Sequence, residues 1–318
     1  MSFYGLKRTF DRVGYFETES QTQLFQELKP LLRSGRLIAL AGIVGCGKTT
    51  TMNRLQSELS TEKEIIVSRS LAVDREKVNL GTLMIALFCD LNTEKDNKFP
   101  SQSEQRERKL LTLIQKSRKP VALFVDEAHD LHSRTLVGLK KLIELARDNN
   151  GILSVVLAGH PKLKNDLRRP TLEEIGARAN VLTLEGIKGQ QKQYIEWLLS
   201  QCISEPHLKE DIIEEEAVEI LASRLTTPLQ IEHYLERAFE EAHKIGQKPV
   251  KAEIIETVLA FGLNDLEPRL VRHGYNAKNL ATLLNIRTTE VRSFLQGQLP
   301  PSRTQDLTDQ MLKIGIAL

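Results

Sequence analysis

Gly42-Ile-Val-Gly-Cys-Gly-Lys-Thr49 decides the reading of this chain. It has the spacing G-x-x-x-x-G-K-[ST], and it stands between an apolar run at 37–41 and a helix-like stretch at 49–59. Strand, glycine turn and helix N-terminus together aim backbone N–H groups at an anion, as the binding of a nucleoside triphosphate requires. Gly42, Gly45 and Gly47 keep side chains out of that approach, and Ile43, Val44 and Cys46 supply backbone between them. Lys48 is placed to reach the β- and γ-phosphates, the Thr49 hydroxyl to ligate Mg²⁺, and Thr50 completes the loop. The expectation is an ATP site.

A second run, Val121-Ala-Leu-Phe-Val125, ends in Asp126-Glu127-Ala-His129. A carboxylate at the end of a central strand can hold Mg²⁺ beside the phosphates, which is the role expected of Asp126. Glu127 is then placed to polarise an attacking water as general base. That Asp-Glu pair points to a hydrolase rather than a small-molecule kinase. The string Asp-Glu-Ala-His also occurs in helicases, which add a Ser-Ala-Thr motif and a second RecA-like domain. Here Ala158-Gly-His160 follows instead, and the remainder of the chain reads as helical.

The chain has 318 residues, 41% of them hydrophobic, and a net charge of +2. That is enough for two or three compact units, and it leaves any basic surface to be local. Cys46, Cys89 and Cys202 form no metal-binding spacing and suit a reducing compartment. No apolar run approaches the ~20 residues that span a bilayer, and Met1-Ser-Phe-Tyr-Gly-Leu-Lys-Arg8 lacks an apolar signal core. A cytoplasmic protein without membrane association is expected.

Residues 1–36 read as an entry segment, with Leu24, Leu28, Leu31 and Leu32 at helical spacing. From 37 to 187 apolar runs at 37–41, 64–68, 121–125, 152–158 and 181–184 alternate with helical stretches, and 92–107 is polar and loop-like. This predicts an α/β fold with a five-stranded parallel sheet covered on both faces. Over 188–263 the pattern turns helical, at 190–203, 214–225, 229–245 and 251–261, as in a lid subdomain. Residues 264–318 resemble a helix-turn-helix: a helix over 275–284 with Asn276 as N-cap, a break at 285–287, a helix over 288–295 capped by Thr288, a stop at Gly297, and a loop begun by Pro300-Pro301 into 304–314. Ala281, Ile286, Val291 and Leu295 would pack the pair, leaving Thr289, Glu290, Arg292 and Ser293 outside.

The combination resembles AAA+ P-loop ATPases of the transposition-regulator and ExeA-like group, relatives of TnsC, TniB and MuB. The resemblance rests on Phe3-Tyr-Gly-Leu6 with Phe10, on the two nucleotide motifs, and on Val155-Val-Leu-Ala-Gly-His-Pro-Lys-Leu163. It implies that His160 stands at the sensor of the γ-phosphate, a position where the family usually has an amide. It implies an arginine finger near Arg178, with Arg168 and Arg169 competing, that acts across a subunit boundary. The chain departs from the family at sensor 2, where Leu225-Thr-Thr-Pro-Leu-Gln230 puts Leu229 or Gln230 in place of the expected arginine. Slow turnover, suited to a switch, is the consequence.

Duplex DNA is the expected partner. Residues 98–119 are rich in Lys and Arg, and Lys140, Lys141, Lys162 and Lys164 follow the third and fourth strands. In the terminal module Arg287, Thr289 and Arg292 are the candidate contacts. A few such cations per subunit, repeated around a homo-oligomeric ring or filament, would track a phosphate backbone. The resemblance supplies a transposase, and possibly a targeting protein, as further partners. It also leaves open an ExeA-like role in envelope assembly or secretion, and a protein-directed switch that does not bind DNA.

Overall fold

Short apolar runs can bury both faces only inside a sheet that is covered above and below. The computed structural model describes residues 2–70, 78–92, 100–168, 172–204, 208–260 and 266–316, and it divides into two compact units. One comprises residues 21–43 and 48–184, the other residues 1–20, 44–47 and 185–318.

The first unit runs α1 (Glu19–Arg33), β1 (Leu37–Ala41), α2 (Lys48–Glu62), β2 (Ile66–Arg69), α3 (Leu80–Leu91), α4 (Ser103–Ser117), β3 (Val121–Val125), α5 (Ser133–Asp148), β4 (Leu153–Gly159), α6 (Pro161–Leu167), α7 (Glu173–Gly176) and β5 (Ala179–Thr183). The expected five-stranded sheet is present, parallel throughout, in the order β2-β3-β4-β1-β5. Every residue of β1, β3 and β4 is buried, whereas β5, at an edge, is only half covered. Each fully buried Leu, Val or Ile contributes about 1.5–3 kcal/mol of transfer free energy, and on one face these strands share a core with Leu83, Leu87, Leu110, Ile114, Leu139 and Leu142 of the covering helices. The one polar residue among them, Ser154, is satisfied: its hydroxyl donates to the Leu32 carbonyl at 2.9 Å and accepts from the Arg36 N–H at 3.0 Å.

Several boundaries differ from expectation. β2 begins at Ile66, where its N–H meets the Pro120 carbonyl, because Lys63 is left-handed (φ 56°) and turns the chain first. β4 and β5 lie one and two residues from the expected spans, since pairing with β1 sets their register. α3 is absent from the sequence reading. The expected loop at 92–107 is shorter: α4 starts at Ser103, its charged first turns stabilised by an Arg108–Glu104 pair at i,i+4, while residues 93–99 fall outside the described part.

In the second unit α8 (Gln191–Cys202), α9 (Glu215–Arg224), α10 (Pro228–Lys244) and α11 (Ala252–Leu259) pack around one core that also receives Tyr4, Leu6 and Phe10. The Tyr4 and Phe10 rings lie 4.8 and 5.7 Å from Phe239. Toward the end come α12 (Leu266–Arg272), α13 (Ala277–Leu284), α14 (Thr288–Leu295) and α15 (Pro301–Lys313), with a core of their own. The Asn276 side chain accepts from the Asn279 N–H at 2.8 Å, as a cap should. Asn285 ends α13 in the left-handed region (φ 53°), and Gly297 follows α14 at φ 70°. Thr288 does not cap: it is already helical, and Arg287 occupies the cap position without a side-chain bond. Leu280 and Phe294 are buried with Ala281 and Val291, while Ile286 and Leu295 are only partly covered. No described helix is long and apolar enough to cross a membrane.

Candidate nucleotide site

Pairing order builds the site. β4 lies between β1 and β3, so the segments leaving the C-terminal ends of all three emerge side by side. Ala41 is opposite Gly159, and the Gly42 N–H donates to the Gly159 carbonyl at 3.0 Å. Ligands of open parallel sheets bind at this end of the strands, where the strand order reverses.

In the glycine loop, Gly45 and Gly47 have φ of +80° and +93°. A Cβ on Gly45 would lie 2.7 Å from the Leu229 Cβ and 3.1 Å from the Thr227 hydroxyl, whereas one on Gly47 would meet nothing within 4 Å. Glycine at 45 is thus demanded by close packing, and at 47 by conformation alone. The Thr227 side chain caps α10 by accepting from the Gln230 N–H. Leu229 and Gln230, expected to stand in place of a sensor 2 arginine, therefore sit in the first turn of α10, and Leu229 lies against Gly45. The buried Lys48 ammonium donates to the Gly42 and Ile43 carbonyls at 2.9 and 3.0 Å.

The Thr49 hydroxyl donates to one Asp126 oxygen at 2.7 Å. The other accepts from the Glu127 N–H at 2.8 Å. Glu127 itself is left-handed (φ 52°), an uncommon conformation for a residue with a side chain, of the sort found at functional sites. Its carboxylate lies 3.3 Å from His129 Nδ1 and 3.8 Å from His160 Nε2, and the two imidazoles stack with centroids 3.7 Å apart. Burial lowers the His129 pKa below its usual value; Asp130 and Glu127 oppose this, and Lys162 and Lys48 reinforce it. The residues fit ATP and Mg²⁺: an ammonium on loop carbonyls, an open space at Gly47, and a hydroxyl and carboxylate already converged as a pair of hard oxygen donors.

Other expected site residues lie elsewhere. Arg178 precedes β5, whose first residue, Ala179, pairs with Leu37 at the start of β1. It is therefore at the sheet edge remote from its own glycine loop, roughly 13 Å of strand away. Its guanidinium is well exposed and reaches Glu144 at 2.6 Å. Arg168 is exposed, and Arg169 is outside the described residues. Exposure also separates the expected DNA contacts. Lys141 is exposed, and Lys164 is half-buried. Lys140 and Lys162 are largely covered and ion-paired to Glu144 and Asp166 at 3.6 and 2.5 Å. In the terminal module Arg287, Thr289 and Arg292 are exposed; Glu290 and Ser293, expected outside, are half-buried, with Glu290 bound to Arg303 at 2.8 Å. His129 was missed as a site residue, although it closes the quoted Asp-Glu-Ala-His string.

A family model described as an AAA domain matches residues 32–167, spanning the glycine loop, Asp126, Glu127 and His160. Over these residues the chain is similar to AAA domains. Over 149 aligned residues the chain is 34% identical to general secretion pathway protein A of Aeromonas hydrophila; the match covers 45% of this chain and 26% of that protein. The chain thus matches about a quarter of that relative's length. Among solved structures, the ORC2 protein of Aeropyrum pernix, in ADPNP and ADP complexes, superposes with a TM-score of 0.56 at 15% identity, covering 97% of this chain and 90% of the other. Drosophila ORC bound to DNA gives a TM-score of 0.54 at 15% identity, covering 98% and 82%. These likenesses establish the AAA+ fold. The family match and the two nucleotide motifs within it support ATP hydrolysis by residues 32–167.

Proposed function

We propose that the chain is an ATP-gated, DNA-binding homo-oligomer that selects target DNA for a transposase and activates it, with hydrolysis timing its release. The observation that carries this reading is a terminal helical module, with its own core and with Arg287, Thr289 and Arg292 exposed, joined to a nucleotide-binding domain. We read α13 and α14 as a helix-turn-helix whose second helix presents Thr289 and Arg292, with Lys141 as a cation on the AAA domain.

In this reading Lys48 leaves the Gly42 and Ile43 carbonyls to hold the β- and γ-phosphates, and loop N–H groups orient them. Thr49 and Asp126 would hold Mg²⁺, which supplies charge neutralisation at the phosphates. Glu127 accepts the proton of the attacking water, and His160 sits beside it to report the γ-phosphate. Arg178, too far from its own loop, serves the neighbouring subunit. Leu229 in place of a sensor arginine keeps turnover slow.

The test is binding of the full chain to duplex DNA with a slowly hydrolysed ATP analogue or with ADP, followed by negative-stain microscopy and titration. Analogue-dependent rings or filaments on DNA, weakened by Arg287→Ala and Arg292→Ala, are expected. The sequence match to general secretion pathway protein A favours a second reading, an ATPase of envelope assembly or secretion. Absence of DNA affinity in every nucleotide state would select that reading.

A further inference from the structure

Taken together, three side chains of the nucleotide site form a donor set that ATP hydrolysis does not call for. Glu127, His129 and His160 each offer a ligand atom, and these atoms lie within 4.8 Å of one another. Mg²⁺ prefers an all-oxygen octahedron, whereas two imidazoles and a carboxylate suit Zn²⁺ and its neighbours. We propose that Glu127, His129 and His160 form a capture site for a Zn²⁺-type dication, and that filling it withdraws Glu127 from water activation.

The geometry is close to what such an ion needs. Bonds of 2.0–2.1 Å in a tetrahedron place ligand atoms about 3.3 Å apart. Glu127 Oε2 and His129 Nδ1 are already separated by 3.3 Å, and His160 Nε2 must close from 3.8 Å to the same value. The rings, inclined by 24°, must tilt further for both lone pairs to meet at one point. A second observation points the same way. With Nδ1 toward Glu127, the His129 Nε2 faces Asp130 Oδ1 at 3.6 Å. At 3.6 Å the pair is just beyond hydrogen-bond reach; the ring tilt that metal binding requires would have to close it to about 3 Å for that carboxylate to fix the tautomer of the bound imidazole. All three side chains are at most one-fifth exposed, so the ion would be shielded, and a fourth position would remain for water.

The metal-binding claim stands apart from the proposed function; only the inhibition rests on Glu127 as base. The experiment titrates the full-length chain, in excess Mg²⁺, with Co²⁺ followed by visible absorption and with Zn²⁺ as competitor. One ion per chain, with the intense bands of four-coordinate Co²⁺, is expected. His160→Asn and His129→Gln should each weaken binding at least tenfold, and Asp130→Asn, which removes no ligand, roughly tenfold. His132→Gln, an exposed neighbour, should leave affinity unchanged. Equal Zn²⁺ affinity in both histidine variants, or no saturable binding, would overturn the proposal. Hydrolysis assayed with and without Zn²⁺ separates the two claims: a bound ion that leaves turnover intact keeps the site and removes Glu127 as base.

Discussion

Substituting alanine at Gly45 and at Gly47 separates packing from ligand binding in the same loop. Both glycines are left-handed, so a Cβ costs about 1–2 kcal/mol at either position. At Gly45 that Cβ also lands 2.7 Å from the Leu229 Cβ, an overlap that only movement of backbone can relieve. Overpacking of that kind adds about 1–3 kcal/mol, for a total of about 2–5 kcal/mol. Gly47→Ala meets no protein atom within 4 Å and should lose only the conformational amount. If the loop wraps a phosphate as proposed, the Gly47 Cβ would intrude on the ligand instead. Wild type should gain about 2.7 kcal/mol at ATP one hundred times its Kd, and Gly47→Ala should gain little. Urea denaturation with and without Mg-ATP measures both quantities. Equal stability of the two apo variants, or full ATP stabilisation of Gly47→Ala, would refute the reasoning.

Three further outcomes follow from the site. Glu127→Gln should slow hydrolysis by about 10²–10⁴-fold while ATP still binds, as single-turnover kinetics and nucleotide titration would show. Arg178→Ala should lower turnover by roughly 10³-fold with unchanged ATP affinity, and mixing it with Lys48→Ala should restore part of the activity, because one variant supplies the nucleotide and the other the arginine. His129 takes up its proton less readily in the folded chain than in the unfolded one, where its pKa is about 6.5. The unfolded state therefore binds more protons as pH falls through that value, and stability should decline there. Chemical denaturation of His129→Gln across the same range should show a flatter dependence.

The nucleotide motifs were legible because their chemistry is local. β1 and β3 have the expected bounds, since Pro120 opens one and Gly42 closes the other. α3 was not, because Leu80-Gly-Thr-Leu-Met-Ile-Ala-Leu-Phe-Cys-Asp-Leu91 is apolar nearly all round and shows no helical period. Its start depends on a side-chain exchange, with Asn79 accepting from the Thr82 N–H and Thr82 bonding back. The stacking of His129 on His160 was equally hidden. It arises from β3 and β4 being neighbours, a property of pairing and not of spacing. Covered lysines tell the same story, for Lys162 looks like any surface cation until Asp166 one helical turn on is seen to hold it.

Tyr4, Leu6 and Phe10 belong to a core whose other members begin at Ile187. During synthesis, then, Tyr4 and Phe10 leave the ribosome long before the Phe239 ring against which they pack has been made. The sheet unit, assembled from residues 21–43 and 48–184, needs no such wait. Folding order should run middle first and ends last, and the opening dozen residues would spend that interval as exposed apolar chain available to chaperones. Trimming those residues as though they were an untidy tail would remove part of the helical core instead.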